Sequence, residues 1–447
     1  MDRISPVVIQ EIEKSRVYVP VRTKFIIALT LALGWTAFSW YVAVPWINDL
    51  ARLVSYPVAL LVVLGIAIIP GYAFAFIFFS LALDRRPRKG VLVDYPPVTV
   101  LIAAYNEEAT IAGTIDSIVK QNYPGPLEII LIDDGSGDRT VAVAEGRNVQ
   151  NLRILRMPVN GGKARALNAG LRVANDSLIV TVDADTYLFR GALENIVLRY
   201  ASDPRGTVAV AGAVFTRNSR RNLLTKVQEW DYFHGIAVVK RTQSLYQGTL
   251  VAQGAFSIYS KTALEEIGGW PEVVGEDIVM SWALLKRGYR IGYAEDAIVF
   301  TNVPEKWSQF YHQRRRWARG LIEALKQHPE VLLRPRLNWP FFGLNLLYPF
   351  LDAVFLFCFV PGVIAALFGY YFIVGPMTLA VLPLALLNNL AMFVVQKKTF
   401  RELHLRVRRN PVGFLCYALF YQLLMAPASV AGYYAEFVNS RKSWGTK

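Results

Sequence analysis

Uncharged apolar stretches open and close this chain, and they limit its possible folds more than any other feature. Phe25 to Ile47 carries no charged residue, and neither does Leu53 to Leu83. Leu337 to Gln396 carries only Asp352, and Pro411 to Ala435 carries none. A helix crosses a bilayer with about 20 apolar residues. The first two stretches therefore predict one span each. The third predicts about two, broken near Gly375-Pro376, and the last predicts one more. The first run follows a polar tail and lacks a small-residue cleavage site, so it reads as a retained anchor.

The composition agrees. At 54% hydrophobic and 18% charged, the chain is too apolar for an ordinary soluble enzyme. Its net charge of +14 gathers beside the apolar runs, which points to cytoplasmic loops and anionic lipid and away from nucleic acid. The N-terminal tail holds Arg3, Lys14, Arg16, Arg22 and Lys24. The second run exits into "DRRPRK", and "QKKTFRELHLRVRRN" follows the third. Basic loops stay inside, so the N-terminus and residues 84–336 are expected on the cytoplasmic face of a plasma (inner) membrane. Five spans would leave "NSRKSWGTK" outside, against that rule, so four, five and six spans stay open. Cys358 and Cys416 lie within apolar runs and predict no disulfide framework.

Between the runs, strands and helices alternate. "VTVLIAA", "LEIILID", "LRILRM" and "LIVTVD" are compact apolar strands. "EEATIAGTIDSIVKQ" and "GGKARALNAGLRVA" are helical. This is the order of a mostly parallel α/β sheet, in which ligands bind beyond the carboxyl ends of the strands. Polar clusters stand at those ends: Tyr105-Asn106-Glu107, Asp133-Asp134-Gly135 and Asp183-Ala184-Asp185. Alone, "DDGS" also reads as a turn. "DAD" can share a divalent cation, since Mg²⁺ takes oxygen ligands and substrate phosphates, or it can be a solvated loop. "NGGKARALN" offers glycines and Lys163 at a helix start, a place that suits anions, without the spacing of a P-loop. "GED" opens a helix, where carboxylates are stabilised by the dipole whatever else they do. In "SQFYHQRRRWARGLIEALKQ", Phe310, Trp317, Leu321, Ala324 and Leu325 share one face, with Arg314, Arg315, Arg319 and Lys326 mainly on others, the pattern of an interfacial amphipathic helix.

Taken in order, YNEE, DDGS, DAD, GED and QRRRW resemble the processive, inverting family-2 glycosyltransferases, the membrane enzymes that make cellulose, chitin, hyaluronan and poly-N-acetylglucosamine. The resemblance covers roughly residues 95–325. It implies an α/β GT-A domain, Rossmann-like with a mixed, mostly parallel sheet, inserted between transmembrane helices. The organisation it implies is a tail over 1–24, two spans over 25–83 and the GT-A domain over 84–306. An interface-helix region follows over 307–336, about two spans over 337–396 and a basic segment over 397–410. A last span over 411–438 and a tail over 439–447 complete it.

Carried over motif by motif, Tyr105, Glu107 and Asp133 would hold the uracil and ribose of a UDP-sugar, with Lys163 near the nucleotide. Asp183 and Asp185 would form the D-x-D pair, Asp185 being the direct Mg²⁺ or Mn²⁺ ligand. Asp277 would be the general base, beside Glu276. Gln253 and Gly254 would meet the end of the acceptor. Gln313, Arg316 and Trp317 complete Q-x-x-R-W. Arg316, helped by Arg314, would grip the pyrophosphate, and Trp317 would present a flat face to a sugar at the mouth of a membrane channel.

The segments "VVKRTQSLY" and "GAFSIYSKTALEEIGGW" are most similar to bacterial poly-β-1,6-N-acetyl-D-glucosamine synthases, which implies UDP-N-acetylglucosamine as donor, a growing polysaccharide as acceptor and a small membrane accessory subunit. Gly275 departs from that group, where threonine precedes Glu-Asp. A synthase of another polymer, or a single-transfer enzyme acting on a lipid, is the competing enzyme reading, and the intact Q-x-x-R-W argues against single transfer. A transporter would need intramembrane charges or paired repeats, and Asp352 is the only acid in the long run 337–396.

Overall fold

The computed structural model describes residues 19–84, 89–375 and 382–440. The tail expected over 1–24 therefore falls largely outside them, as do most of "DRRPRK" and of the tail 439–447.

Each of the four strands read from the sequence forms: β1 (Val98–Ala104), β2 (Leu127–Asp133), β3 (Leu152–Arg156) and β4 (Leu178–Asp183). They pair in parallel, in the order β3-β2-β1-β4. β1 is almost wholly buried, as expected of a strand covered by helices on both faces. Four more strands follow: β5 (Tyr187–Leu188), β6 (Thr207–Thr216), β7 (Phe256–Ser260) and β8 (Arg290–Thr301). They extend the sheet to β3-β2-β1-β4-β7-β6-β8-β5. β7 runs antiparallel to both β4 and β6, so the sheet is mixed. In register, Ala104 faces Asp133 and Ala103 faces Asp183. The three polar turns therefore emerge along one edge.

Among the described residues, four helices are long and apolar enough to cross a membrane: Val21–Ala51, Tyr56–Ala82, Trp339–Leu367 and Pro411–Phe437. The second span expected within 337–396 would fall on the helix Leu382–Glu402, which is not one of those four, and residues 376–381 before it lie outside the described ones. The helical bundle has two distinct ends. At one, Trp46 Nε1 donates to the Phe372 carbonyl at 3.0 Å. At the other, Arg241 of the α/β block pairs with Asp84 at 2.5 Å and donates to Thr399 Oγ1 at 3.1 Å. The α/β block sits at this second end, and one apolar core joins the two. Phe76 of the second helix packs on Tyr246 (5.6 Å between centroids) and Phe341 (5.6 Å), and Trp282 meets Phe342 edge-on at 5.0 Å.

The final helix has the length and apolarity of the expected span, and it is bound to the α/β block as well. Its start is bound to the α/β block, where Asn410 donates to the Lys226 carbonyl at 2.8 Å and accepts from Trp230 Nε1 through its carbonyl at 2.9 Å. Its end is bound there too, because Glu436 pairs with Arg319 at 3.1 Å and with Lys326 at 3.7 Å. Nearby, Gly432 lies so close to the Trp307–Gln327 helix that a Cβ would stand 2.5 Å from the Arg315 carbonyl oxygen. Gln422 and Tyr433 of the same helix also donate to Asp352, within Trp339–Leu367, at 2.7 and 2.9 Å.

Candidate active site

The YNEE turn and the loop after β2 are laced together. Asn106, with φ of 55°, donates its N–H to Ser136 Oγ at 3.0 Å, and its side-chain oxygen accepts from Gly137 N–H at 2.9 Å. Glu107 N–H donates to Thr140 Oγ1 at 2.7 Å. Tyr105 stands exposed above this turn, while Asp133 is buried and accepts from Ser136 N–H at 3.2 Å. The neighbouring Asp134 accepts from Gly161 N–H at 2.9 Å and Gly162 N–H at 2.7 Å. Both its oxygens are thus spent on the loop that delivers Lys163.

Lys163 Nζ pairs with Asp183 and lies 4.0 Å from Glu276. Those two carboxylates, with Asp277, hold its ammonium above the usual lysine range against the opposing effect of burial. Gly254 lies directly beneath: a Cβ there would meet Lys163 Nζ at 2.5 Å. Asp185 accepts from Thr301 Oγ1 at 3.1 Å. Burial, then the charges of Asp183 and Glu107, push its carboxyl up to about 6, so the pocket is short of positive charge at Asp185. Among the described residues no group of three or more His, Cys, Asp or Glu forms a metal cage. An oxygen pair with one carboxylate short of a cation nevertheless fits Mg²⁺ or Mn²⁺, ions that keep water or substrate oxygens for their remaining positions.

Glu276 and Asp277 open the helix Glu276–Lys286. Glu276 is buried, and its carboxyl is pushed upward by that burial and by the adjacent Asp277 charge. The Asp277 carbonyl accepts from Ser281 Oγ at 2.6 Å, and Ser281 Oγ in turn accepts from Ala252 N–H at 2.8 Å. This relay fixes the acid pair against the "AQGA" segment. The Gln253 amide donates to the Gly212 carbonyl at 2.7 Å, so its NH₂ group is committed to the scaffold.

The Q-x-x-R-W helix brings Arg316 within electrostatic reach of the same acids. Burial holds its guanidinium below the usual arginine range, opposed by Glu276, Asp277 and Asp183. It makes no ion pair within 4.0 Å among the described residues, and its Nε has no partner. The Gln313 side-chain oxygen is likewise buried and unpartnered. Arg314 requires a correction. It is 1% exposed, pairs with Asp231 at 2.9 Å, and lies 3.9 Å from the centre of the Trp317 ring. Its guanidinium is committed to Asp231 and to the ring, away from solvent. The amphipathic pattern also breaks, because Arg314 and Arg319 are buried while Trp317 is 41% exposed. Each buried arginine meets an acid that a helical wheel cannot show.

Sequence reasoning gave no role to Asp231 or Lys240, nor to Asp134 within the Asp133-Asp134-Gly135 cluster. Lys240 donates to the Val251 carbonyl at 2.5 Å, and burial lowers it to about 8, opposed by Asp277. Asp134 sat beside the chosen Asp133. Asp231 stood out only as an acid among the aromatics of "EWDYFHG".

Comparison with known proteins bears on the fold that carries these residues. Residues 99–268 match the family described as glycosyl transferase family 2. The poly-beta-1,6-N-acetyl-D-glucosamine synthase of Staphylococcus epidermidis is 34% identical over 230 residues, 51% of this chain and 55% of the relative. That of Staphylococcus aureus (strain COL) is 33% identical over 246 residues, 55% and 59% respectively. The chain thus spans a little over half the length of the curated relatives it matches. A mannosyltransferase of Pyrobaculum calidifontis, solved with GDP-Man and Mn²⁺, superposes with a TM-score of 0.54 at 19% identity, covering 85% of this chain and 99% of its own. That likeness is one of fold, and the fold is GT-A.

Proposed function

We propose that the chain is a processive, inverting glycosyltransferase that joins sugars from UDP-N-acetylglucosamine into a β-linked polysaccharide and passes the product into its own membrane bundle. The observation that carries this reading is Arg316. It faces three carboxylates yet touches none within ion-pair distance. An arginine kept apart from the acids it faces has donors to spare for an anion bound between them, and a diphosphate takes such donors in pairs.

On this reading Tyr105, Glu107 and Asp133 receive the nucleoside at the sheet edge, and Lys163 and Arg316 flank the diphosphate. A divalent cation at Asp185, with Asp183 beside it, would offset charge on the departing UDP. Glu276, held toward its neutral form, is suited to keep a proton, which leaves Asp277 to accept one. Asp277 takes the proton of the acceptor hydroxyl as that oxygen attacks the anomeric carbon. The bond to UDP breaks on the opposite side, and the new linkage is β. Gly254 and the open face of Trp317 receive the acceptor. The donor assignment is supported by the names of the staphylococcal relatives, over half their length.

The reading includes a topology of four spans with the α/β block cytoplasmic, in line with basic flanks. Leu382–Glu402 serves as the fourth span, and the Pro411–Phe437 helix lies along the inner face under the arginine helix. The basic C-terminal residues then stay inside. The growing polysaccharide, membrane lipid and a small accessory subunit are the partners implied.

UDP and uridine titrations of the parent and of Arg316→Met test the core of the reading. The parent should prefer UDP by ~10-fold or more, since charge-assisted contacts are the stronger ones, and the variant should lose that preference while binding uridine unchanged. Equal preference in both proteins would remove Arg316 from the donor site.

A further inference from the structure

The buried Arg314 is an expensive residue for the inside of a protein. An unpaired interior guanidinium carries a penalty of several kcal/mol, and a well-packed apolar side chain of similar volume commonly does no worse than a buried pair. The chain nevertheless keeps both Arg314 and Asp231, 2.9 Å apart and almost solvent-free. Arg314 Nε has no acceptor. Its planar group is instead laid against rings, 3.9 Å from the centre of Trp317 and 4.9 Å from that of Phe310. A guanidinium at that distance is attracted by the ring quadrupole, more strongly when desolvated.

The consequence falls on Trp317. One face of its indole is occupied by Arg314, yet 41% of the residue remains exposed. The ring is held from behind and open in front. Asp231 begins the π-helical turn Asp231–Ile236, a local irregularity of the sort often found at functional sites. The next residue, Tyr232, is buried and lies within electrostatic reach of Arg314 and Asp231 and also of Asp185 and Asp183. An indole that served only to anchor the helix in lipid would need no interior cation behind it.

We propose that Arg314 and Asp231 are positioning residues for the acceptor: Asp231 fixes the Arg314 guanidinium, which backs the indole of Trp317 and leaves its other face set for the terminal sugar of the growing chain. This rests on the reading of Trp317 as an acceptor platform. Neither residue touches donor or reacting atoms. A sugar stacks on a ring through its C–H groups, and a ring already immobilised loses less entropy on meeting it. Loss of the backing should therefore shorten the product while leaving the donor site intact.

The test uses the full chain in lipid nanodiscs with UDP-N-acetylglucosamine and Mg²⁺. The variants are Trp317→Ala, Arg314→Lys and the double variant Asp231→Leu/Arg314→Met. The double variant removes both buried charges together, so no orphan charge threatens the fold. UDP affinity is read by titration and product length by gel. The double variant should bind UDP within about twofold of the parent yet release oligomers many-fold shorter, approaching those of Trp317→Ala. Arg314→Lys, which keeps a cation behind the ring, should retain intermediate lengths. Parental length from the double variant, with short products from Trp317→Ala, would overturn the positioning role and leave the acceptor reading standing. Parental length from Trp317→Ala would remove the acceptor reading itself. Loss of UDP affinity in both arginine variants would also overturn the proposal, since it would return Arg314 to the donor.

Discussion

Gly275 and Gly320 meet backbone to backbone. A Cβ on Gly275 would lie 2.4 Å from the Gly320 Cα, and one on Gly320 would lie 2.7 Å from the Gly275 Cα. Gly275 N–H also donates to Glu323 at 2.8 Å. The acid pair at Glu276-Asp277 is thereby clasped to the helix that carries Arg316 and Trp317. Side chains placed there must push the two elements apart, and such overpacking typically costs about 1–3 kcal/mol. Gly320→Val should lower the thermal inactivation midpoint by several degrees. It should also reduce turnover more than UDP affinity, because it moves Arg316 relative to Asp277. Thermal inactivation and UDP-release assays read both effects, and an unchanged turnover number would show that the clasp is dispensable.

Asp277→Asn keeps the shape of the side chain but cannot accept the acceptor's proton. A general base contributes ~10²–10⁴-fold, so polymer synthesis should fall by about that factor while UDP titrations stay near parental values. Asp185→Asn should behave in the opposite way. Its UDP affinity should no longer respond to Mg²⁺ or Mn²⁺, whereas the parent's should rise with either ion.

Lys240 gives a pH signature. Burial holds its folded-state value near 8, below the ordinary 10.5. Between those values the unfolded chain keeps a proton that the folded protein has released, so folded stability contributed by this group rises with pH from about 8 to 10.5. Compared with the parent, Lys240→Met should lose that rise in thermal scans at pH 7.5, 9 and 10. Parallel curves would show that Lys240 is not buried in the way described.

Topology can be read with single cysteines in a background lacking Cys358 and Cys416. Probes replacing Arg221 and Asn439, both exposed, should be protected from an impermeant reagent in intact cells, and one replacing Asp49 should react. Labelling at Asn439 from outside would mean that the last helix crosses the membrane.

Much of this was legible in the chain because local signals carried it. Uninterrupted apolar runs marked the spans, and compact strands ending in Asp, Asn and Gly marked the sheet edge. The register that aligns Ala104 with Asp133 and Ala103 with Asp183 follows from parallel pairing of those strands. What escaped depends on partners far away in sequence. Arg314 looked free because Asp231 lies 83 residues earlier, and Arg319 looked solvated because Glu436 lies 117 residues later. The final helix has the length and apolarity of a span, and nothing local to it foretells its contacts with Lys226, Trp230, Arg319 and Lys326. Asp134 was hidden by its neighbour, since nothing local says which of two adjacent carboxylates turns toward the Gly161-Gly162 loop.

The most direct measurement incubates the purified full chain with Mg²⁺ and, separately, UDP-N-acetylglucosamine, UDP-glucose and UDP-glucuronate, then digests any product with linkage-specific glycosidases. The account predicts long polymer from UDP-N-acetylglucosamine, cut by an enzyme specific for β-1,6-linked N-acetylglucosamine. Polymer from either other donor with none from UDP-N-acetylglucosamine, or only single sugars transferred to lipid, would contradict it.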